Sequence, residues 1–190
     1  AAIGSFLENA PVLLTSSTTG QGIKELEAAL DALPQRAKNA TGPYRMAVDR
    51  SFVQKGFGSV VTGTTQSGSI GIGDELHLLP QDQKVRVRGL EVHGESRERA
   101  FAGERTAVNL AGVDSGNISR GCVLASPNSL EAHAILDVYY RHLKNAPRLE
   151  DRARVRLLLG TSEVLAVVEK VANTEAIQGG EKAWIQLRCE

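Results

Sequence analysis

Cysteine is scarce in this 190-residue sequence, with only Cys122 and Cys189. Two thiols cannot build a disulfide framework or a four-cysteine zinc site, so a reducing compartment is the default. An excess of either charge is also missing. The 22 Lys and Arg balance 22 Asp and Glu. That excludes a wholesale polybasic nucleic-acid or membrane binder and leaves local basic patches open. No apolar run approaches the roughly 18 residues of a membrane-spanning helix, so no membrane partner is expected. The first residues lack the basic segment that opens a signal peptide, and a cytoplasmic protein is expected. They also lack an initiator Met, which predicts a segment of a longer chain. The histidines at 77, 93, 133 and 142 have no metal-ligand spacing with the cysteines, and no metal site is expected. No Gly-x4-Gly-Lys-Ser/Thr stretch occurs, so the backbone cradle that holds nucleotide phosphates is missing.

Glycine is plentiful, 19 residues against eight aromatics, and predicts many tight turns. Residues 11–15, Pro-Val-Leu-Leu-Thr, read as a short buried strand bounded by polar Ser16, Ser17, Thr18 and Thr19. Ile23, Leu26, Leu30 and Leu33 then form one apolar stripe of a helix that Pro34 ends. Residues 1–34 are therefore expected to be a strand–loop–helix piece of an α/β layer. Residues 35–43 carry no large apolar side chain and read as a linker.

From Tyr44 the period changes to two. Met46 and Val48, Val85 and Val87, and Val108 and Leu110 alternate with polar or small neighbours. Turn signals recur between these runs, including Gly56, Gly58, Gly73 and Gly103. Short strands with regular turns predict a small antiparallel barrel over residues 44–127. Closure removes unpaired edges. After the break at Pro127, segments 134–143, 153–159, 162–171 and 183–187 read as four more strands of a second β domain over residues 128–190. That domain is expected to be incomplete, because the chain stops just after its last strand.

Several residues invite a chemical reading. Cys122 lies in an apolar run and reads as a buried structural thiol rather than a nucleophile. Lys84, Arg86 and Arg88 share one strand face. Arg148, Arg152, Arg154 and Arg156 cluster at the start of the second β domain. Either group reads as a solvated face or as a set of phosphate contacts.

Segment 48–64 reads Val-Asp-Arg-Ser-Phe-Val-Gln-Lys-Gly-Phe-Gly-Ser-Val-Val-Thr-Gly-Thr, and segment 67–76 reads Ser-Gly-Ser-Ile-Gly-Ile-Gly-Asp-Glu-Leu. Together they resemble the second domain of elongation factors related to elongation factor Tu. Segments 85–94 and 102–113 are most similar to the selenocysteine-specific branch, and the Arg-Gly-x-Val-Leu run from Arg120 matches the end of that barrel. Ser16, Ser17 and Thr18 resemble the last guanine-contacting loop of a translational GTPase, with Ser17 where Ala is usual. Leu159, Gly160, Thr161 and Ser162 resemble part of the third domain.

The resemblance implies a mainly β protein. It would hold the C-terminal remnant of an α/β GTP-binding domain, the translation-factor β-barrel and part of a third domain. Of the intact factor it implies GTP and Mg as cofactors and selenocysteyl-tRNA and the ribosome as partners. It also implies an mRNA insertion element, read by a C-terminal part that lies outside this chain. This chain lacks the Asp-x-x-Gly and Asn-Lys-x-Asp motifs as well as the phosphate cradle, so it is not expected to be an enzyme by itself. Asp49, Arg50, Arg105 and His93 match positions around the aminoacyl pocket. Lys84, Arg86, Arg88, Arg152, Arg154 and Arg156 become candidate tRNA backbone contacts. Asp49 and an Arg read equally well as a structural pair tying two strands. Another elongation-factor-like GTPase, a β module for protein interaction, or an enzyme with its own site remain alternatives.

Overall fold

The computed structural model describes residues 10–34, 38–171 and 176–190. The chain forms two units, residues 1–37 and 38–190. In the first, helix α1 (Ile23–Asp31) carries the apolar stripe expected from the sequence, but none of its residues is buried. Residues 11–15 are not a strand. Val12 and Leu14 are each 84% exposed. A strand needs a hydrogen-bonded neighbour, and the first unit offers none among its described residues. The loop before α1 is held locally instead. The Ser16 carbonyl accepts from the Gly20 N–H at 2.9 Å, and the Ser16 hydroxyl accepts from the Thr19 N–H at 3.2 Å.

The second unit begins with β1 (Arg45–Gln54) and β2 (Gly58–Ser67), a hairpin whose turn needs positive φ at Gly56 and Gly58. There follow β3 (Ser69–Gly71), β4 (Glu75–Leu79), β5 (Gln83–Val92), β6 (Glu95–Arg97), β7 (Arg99–Phe101), β8 (Arg105–Ala111) and β9 (Val123–Ala125). The sheet runs β4-β9-β1-β2-β8-β5-β6, and a further β4–β5 pairing closes six of these strands into an antiparallel barrel. The expected alternation holds. Met46, Val48, Val85, Val87, Val108 and Leu110 all point into one core with Leu76, Leu78 and Leu124. Cys122 belongs to the same core at 2% exposure, a structural thiol as its apolar setting suggested.

Glycine has a steric role inside β2. A Cβ on Gly63 would lie 2.3 Å from the Ala47 carbonyl oxygen, so the hairpin crosses there only without a side chain.

The remaining strands are β10 (Ile135–Arg141), β11 (Leu149–Glu150), β12 (Arg154–Leu159), β13 (Ser162–Val171), β14 (Ala176–Ile177) and β15 (Lys182–Cys189). Four of them make a sheet in the order β10-β15-β13-β12, and β11 pairs with β14. The four strands read from the sequence are present, and the β11–β14 ribbon was not read. The arrangement is an open half-barrel around Ala166, Val168, Ile177, Ile185 and Leu187. Its outer face carries Tyr139 against Trp184, ring centroids 5.4 Å apart.

Candidate functional site

The site is built on an irregularity of β1. Val48 pairs with Gly63 and Arg50 with Thr62, so Asp49 is the extra residue of a β-bulge. A bulge breaks the ladder locally and re-aims a side chain. Here it turns the Asp49 carboxylate toward β2 and β8. The Thr62 hydroxyl donates to Asp49 Oδ1 at 2.8 Å. Arg105, the first residue of β8, sends Nη2 to the same oxygen at 3.1 Å and Nη1 to Oδ2. β2 and β8 pair Thr64 with Arg105, which sets the reach of that guanidinium.

The electrostatics follow from this geometry. The Arg105 hydrogen bonds hold the Asp49 carboxyl below the usual carboxylate range. Partial burial opposes that shift, while the Thr62 hydroxyl and the charges of Arg105 and Arg50 reinforce it. In turn Asp49 pushes the Arg105 guanidinium up. Two of the five Arg105 N–H groups are spent on Asp49, and the others have no hydrogen-bond partner among the described residues. Arg50 follows Asp49 directly, is exposed, and has no ion-pair partner among the described residues.

His93 lies at the same end of the barrel. The β5–β8 ladder ends with Val92 opposite Thr106, so His93 and Arg105 are the next residues beyond that pair. His93 sits in a turn at φ 54° and is exposed. The structure therefore joins Asp49 to Arg105 directly, and sets Arg50 and His93 beside them. Thr62 was missed by sequence reasoning. Its signal was available: counting outward from the Gly56 turn sets Thr62 opposite Arg50.

The other candidates separate. Lys84, Arg86 and Arg88 are exposed on β5. The Arg86 Nε donates to the Gly73 carbonyl at 3.1 Å. Arg88 is the extra residue of a second bulge, between Val87 and Gly89. Arg152, Arg154 and Arg156 each meet a carboxylate: Glu169, Glu190 and Glu163 respectively. Glu169 also binds Arg188 and is itself a bulge residue of β13. Ser16, Ser17 and Thr18 stand in the first unit, in the loop before α1. Among the described residues no cluster of His, Cys, Asp and Glu could hold a metal ion. No described helix is long and apolar enough to cross a membrane.

Comparison with known proteins addresses the same elements. Residues 58–125 match the model of elongation factor Tu domain 2. A selenocysteine-specific elongation factor from Desulfomicrobium baculatum is 40% identical over 97% of this chain. The chain belongs to the selenocysteine-specific elongation factor family. A second member, from Methanocaldococcus jannaschii, is 29% identical over 97% of the chain. The apo crystal structure of translation elongation factor SelB from Methanococcus maripaludis superposes with a TM-score of 0.76, at 27% identity over 93% of this chain. The chain spans 30% of the length of the first of these family members and 43% of the second. It covers 42% of the SelB chain.

Proposed function

We propose that this chain supplies the aminoacyl-end grip of a translational GTPase that delivers selenocysteyl-tRNA to the ribosome at recoded UGA codons. The observation that carries the reading is the Asp49–Arg105 pair with Arg50 beside it on the bulge. A selenol is largely ionised near neutral pH, whereas a serine hydroxyl is not. Guanidinium groups make charge-assisted hydrogen bonds to a selenolate that serine cannot match. Such bonds are worth about 1.5–3 kcal/mol. Asp49 fixes the fork of Arg105, so the remaining N–H groups face the ligand already oriented. Arg50 brings an unengaged guanidinium, and His93 borders the same end of the barrel. Facing serine, both arginines lose water for weaker bonds, and the pocket discriminates partly by that penalty.

Lys84, Arg86 and Arg88 are the preferred tRNA backbone contacts in this reading, because no carboxylate neutralises them among the described residues. Arg152, Arg154 and Arg156 would have to exchange a carboxylate for a phosphate. GTP and Mg belong to the intact factor. The residues of this chain do not fit them alone: the sequence has no phosphate cradle, and the Ser16 hydroxyl is spent on its own turn. Ser17 and Thr18 would contribute one wall of the guanine site. The ribosome and the mRNA element engage the intact factor, the latter through a part beyond this chain.

The test is Arg105→Ala, and separately Arg50→Ala, in a full-length factor carrying this segment. Dissociation of selenocysteyl-tRNA should quicken roughly ten- to hundredfold, the rate equivalent of the lost bonds, and that of seryl-tRNA much less. Equal changes for both tRNAs would reduce the arginines to scaffold or backbone contacts. A non-catalytic interaction module would bind neither tRNA.

A further inference from the structure

Val48, the residue before the Asp49 bulge, turns both of its backbone polar groups away from β2 and toward the segment leading into β9, where its N–H donates to the Cys122 carbonyl at 2.8 Å. Its carbonyl takes two donors. The Gly121 N–H reaches it at 3.1 Å from the segment leading into β9. The Thr161 hydroxyl reaches it at 2.6 Å from the turn between β12 and β13, in the half-barrel. That turn is held in place by both partners. The Arg120 Nε donates to the Thr161 carbonyl at 3.2 Å. Gly160, at φ 61°, lies so close that a Cβ there would be 3.3 Å from the Ala47 Cβ.

The peptide group is planar. The Val48 carbonyl and the Asp49 N–H therefore turn as one plate, and clamping the oxygen fixes the backbone on which the Asp49 side chain pivots. We propose that Thr161 is a positioning residue: its hydroxyl, donated across the junction of the two β domains, aims Asp49 at Arg105. The half-barrel thereby sets the geometry of a pair on the first barrel. In the reading of Asp49 and Arg105 as an aminoacyl pocket, the docking of the half-barrel tunes how Arg105 presents its free N–H groups. Loss of the hydroxyl leaves Gly121 as the single donor to the Val48 oxygen. The plate then gains freedom, and the carboxylate drifts from Arg105 and Thr62.

Asp49 reports this directly, because its low titration midpoint depends first on Arg105 and also on Thr62. The experiment is a carbon-13 carboxyl NMR titration of this 190-residue chain. Thr161→Val removes the hydroxyl and keeps the branched shape, and Thr161→Ser keeps the hydroxyl. The Asp49 midpoint should rise toward the ordinary carboxylate value in Thr161→Val and return to the wild-type value in Thr161→Ser. Thr161→Ala cannot overpack the junction and gives the same reading should the valine variant not fold. Ser59→Ala is the control. It deletes another side-chain bond between segments of the first barrel, to the Val113 carbonyl. A folded Thr161→Val or Thr161→Ala chain with an unmoved Asp49 midpoint overturns the proposal. So does an equal rise in Ser59→Ala, which would mean general loosening. The titration involves no tRNA, so its failure is distinct from failure of the selenocysteine reading.

Discussion

Arg105 grips Asp49 with both of its Nη atoms, one on each carboxylate oxygen, across 56 positions of the chain. The side chains are 55% and 27% exposed. The bridge therefore contributes no more than about 1 kcal/mol to stability, and its main effect is orientation.

The pH dependence follows with a definite sign. The folded Asp49 midpoint is below the unfolded one. Its contribution is full above the unfolded midpoint, near pH 4, and is lost as pH falls through the folded midpoint. Asp49→Asn should lower stability by up to about 1 kcal/mol at neutral pH. The deficit should shrink toward zero in acid. Urea unfolding at several pH values is the measurement, and a deficit that stays constant with pH would contradict the assignment.

The two kinds of glycine in the β1–β2 hairpin should answer differently to alanine. At Gly63 the new Cβ would strike backbone, the Ala47 carbonyl oxygen. Overpacking of this sort costs about 1–3 kcal/mol and occasionally more, and Gly63→Ala belongs at or above the upper end. At Gly56, with φ 85° and nothing within 4 Å, only the left-handed backbone penalty of about 1–2 kcal/mol applies. Urea midpoints rank the two, and a Gly56→Ala chain less stable than Gly63→Ala would refute the steric account.

Trp184 is the single tryptophan and is 58% exposed. Its emission should be red-shifted and readily quenched by iodide. Tyr139 lies directly opposite it in the β10–β15 register. A double-mutant cycle of Tyr139→Ala and Trp184→Ala should give a coupling of about 0.5–1 kcal/mol. A coupling near zero would mean the rings are neighbours without mutual stabilisation.

Nucleotide binding by this chain alone should be negligible. Phosphoryl groups are held by a backbone cradle and its Lys, and the sequence has neither in the required spacing. Calorimetry with a non-hydrolysable GTP analogue and Mg should show no heat of binding. A micromolar, Mg-dependent dissociation constant would overturn the expectation.

The sequence made the barrel legible because apolar alternation survives over long stretches. Met46, Val48, Val85, Val87, Val108 and Leu110 could only face one side. The bulges escaped that reading. Asp49, Arg88 and Glu169 each break a strict period of two, and two of them turn a carboxylate toward arginines. Alternation alone cannot show an extra residue whose neighbours remain polar. The resemblance supplied Asp49, Arg50, Arg105 and His93 as a group. It included Thr62 and Thr161 only as letters of the matching stretches and gave no role to either, although their hydroxyls bond across strands and across domains. Residues 11–15 failed for the opposite reason. Their composition suits a strand, but strand formation depends on partners rather than on composition.

Barrel closure also has a consequence in time. The strand that completes the ring is β9, only three residues long, inserted between β1 and β4. Met46 finds its partner Leu124 after nearly the whole of the first barrel has intervened. Non-local pairings of this kind fold slowly, since loop closure must precede the contacts that reward it. During synthesis the facing edges of β1 and β4 stay bare until Val123, Leu124 and Ala125 have left the ribosome. The nascent barrel cannot close before its shortest strand has been made, and until then its open edges are available for mispairing.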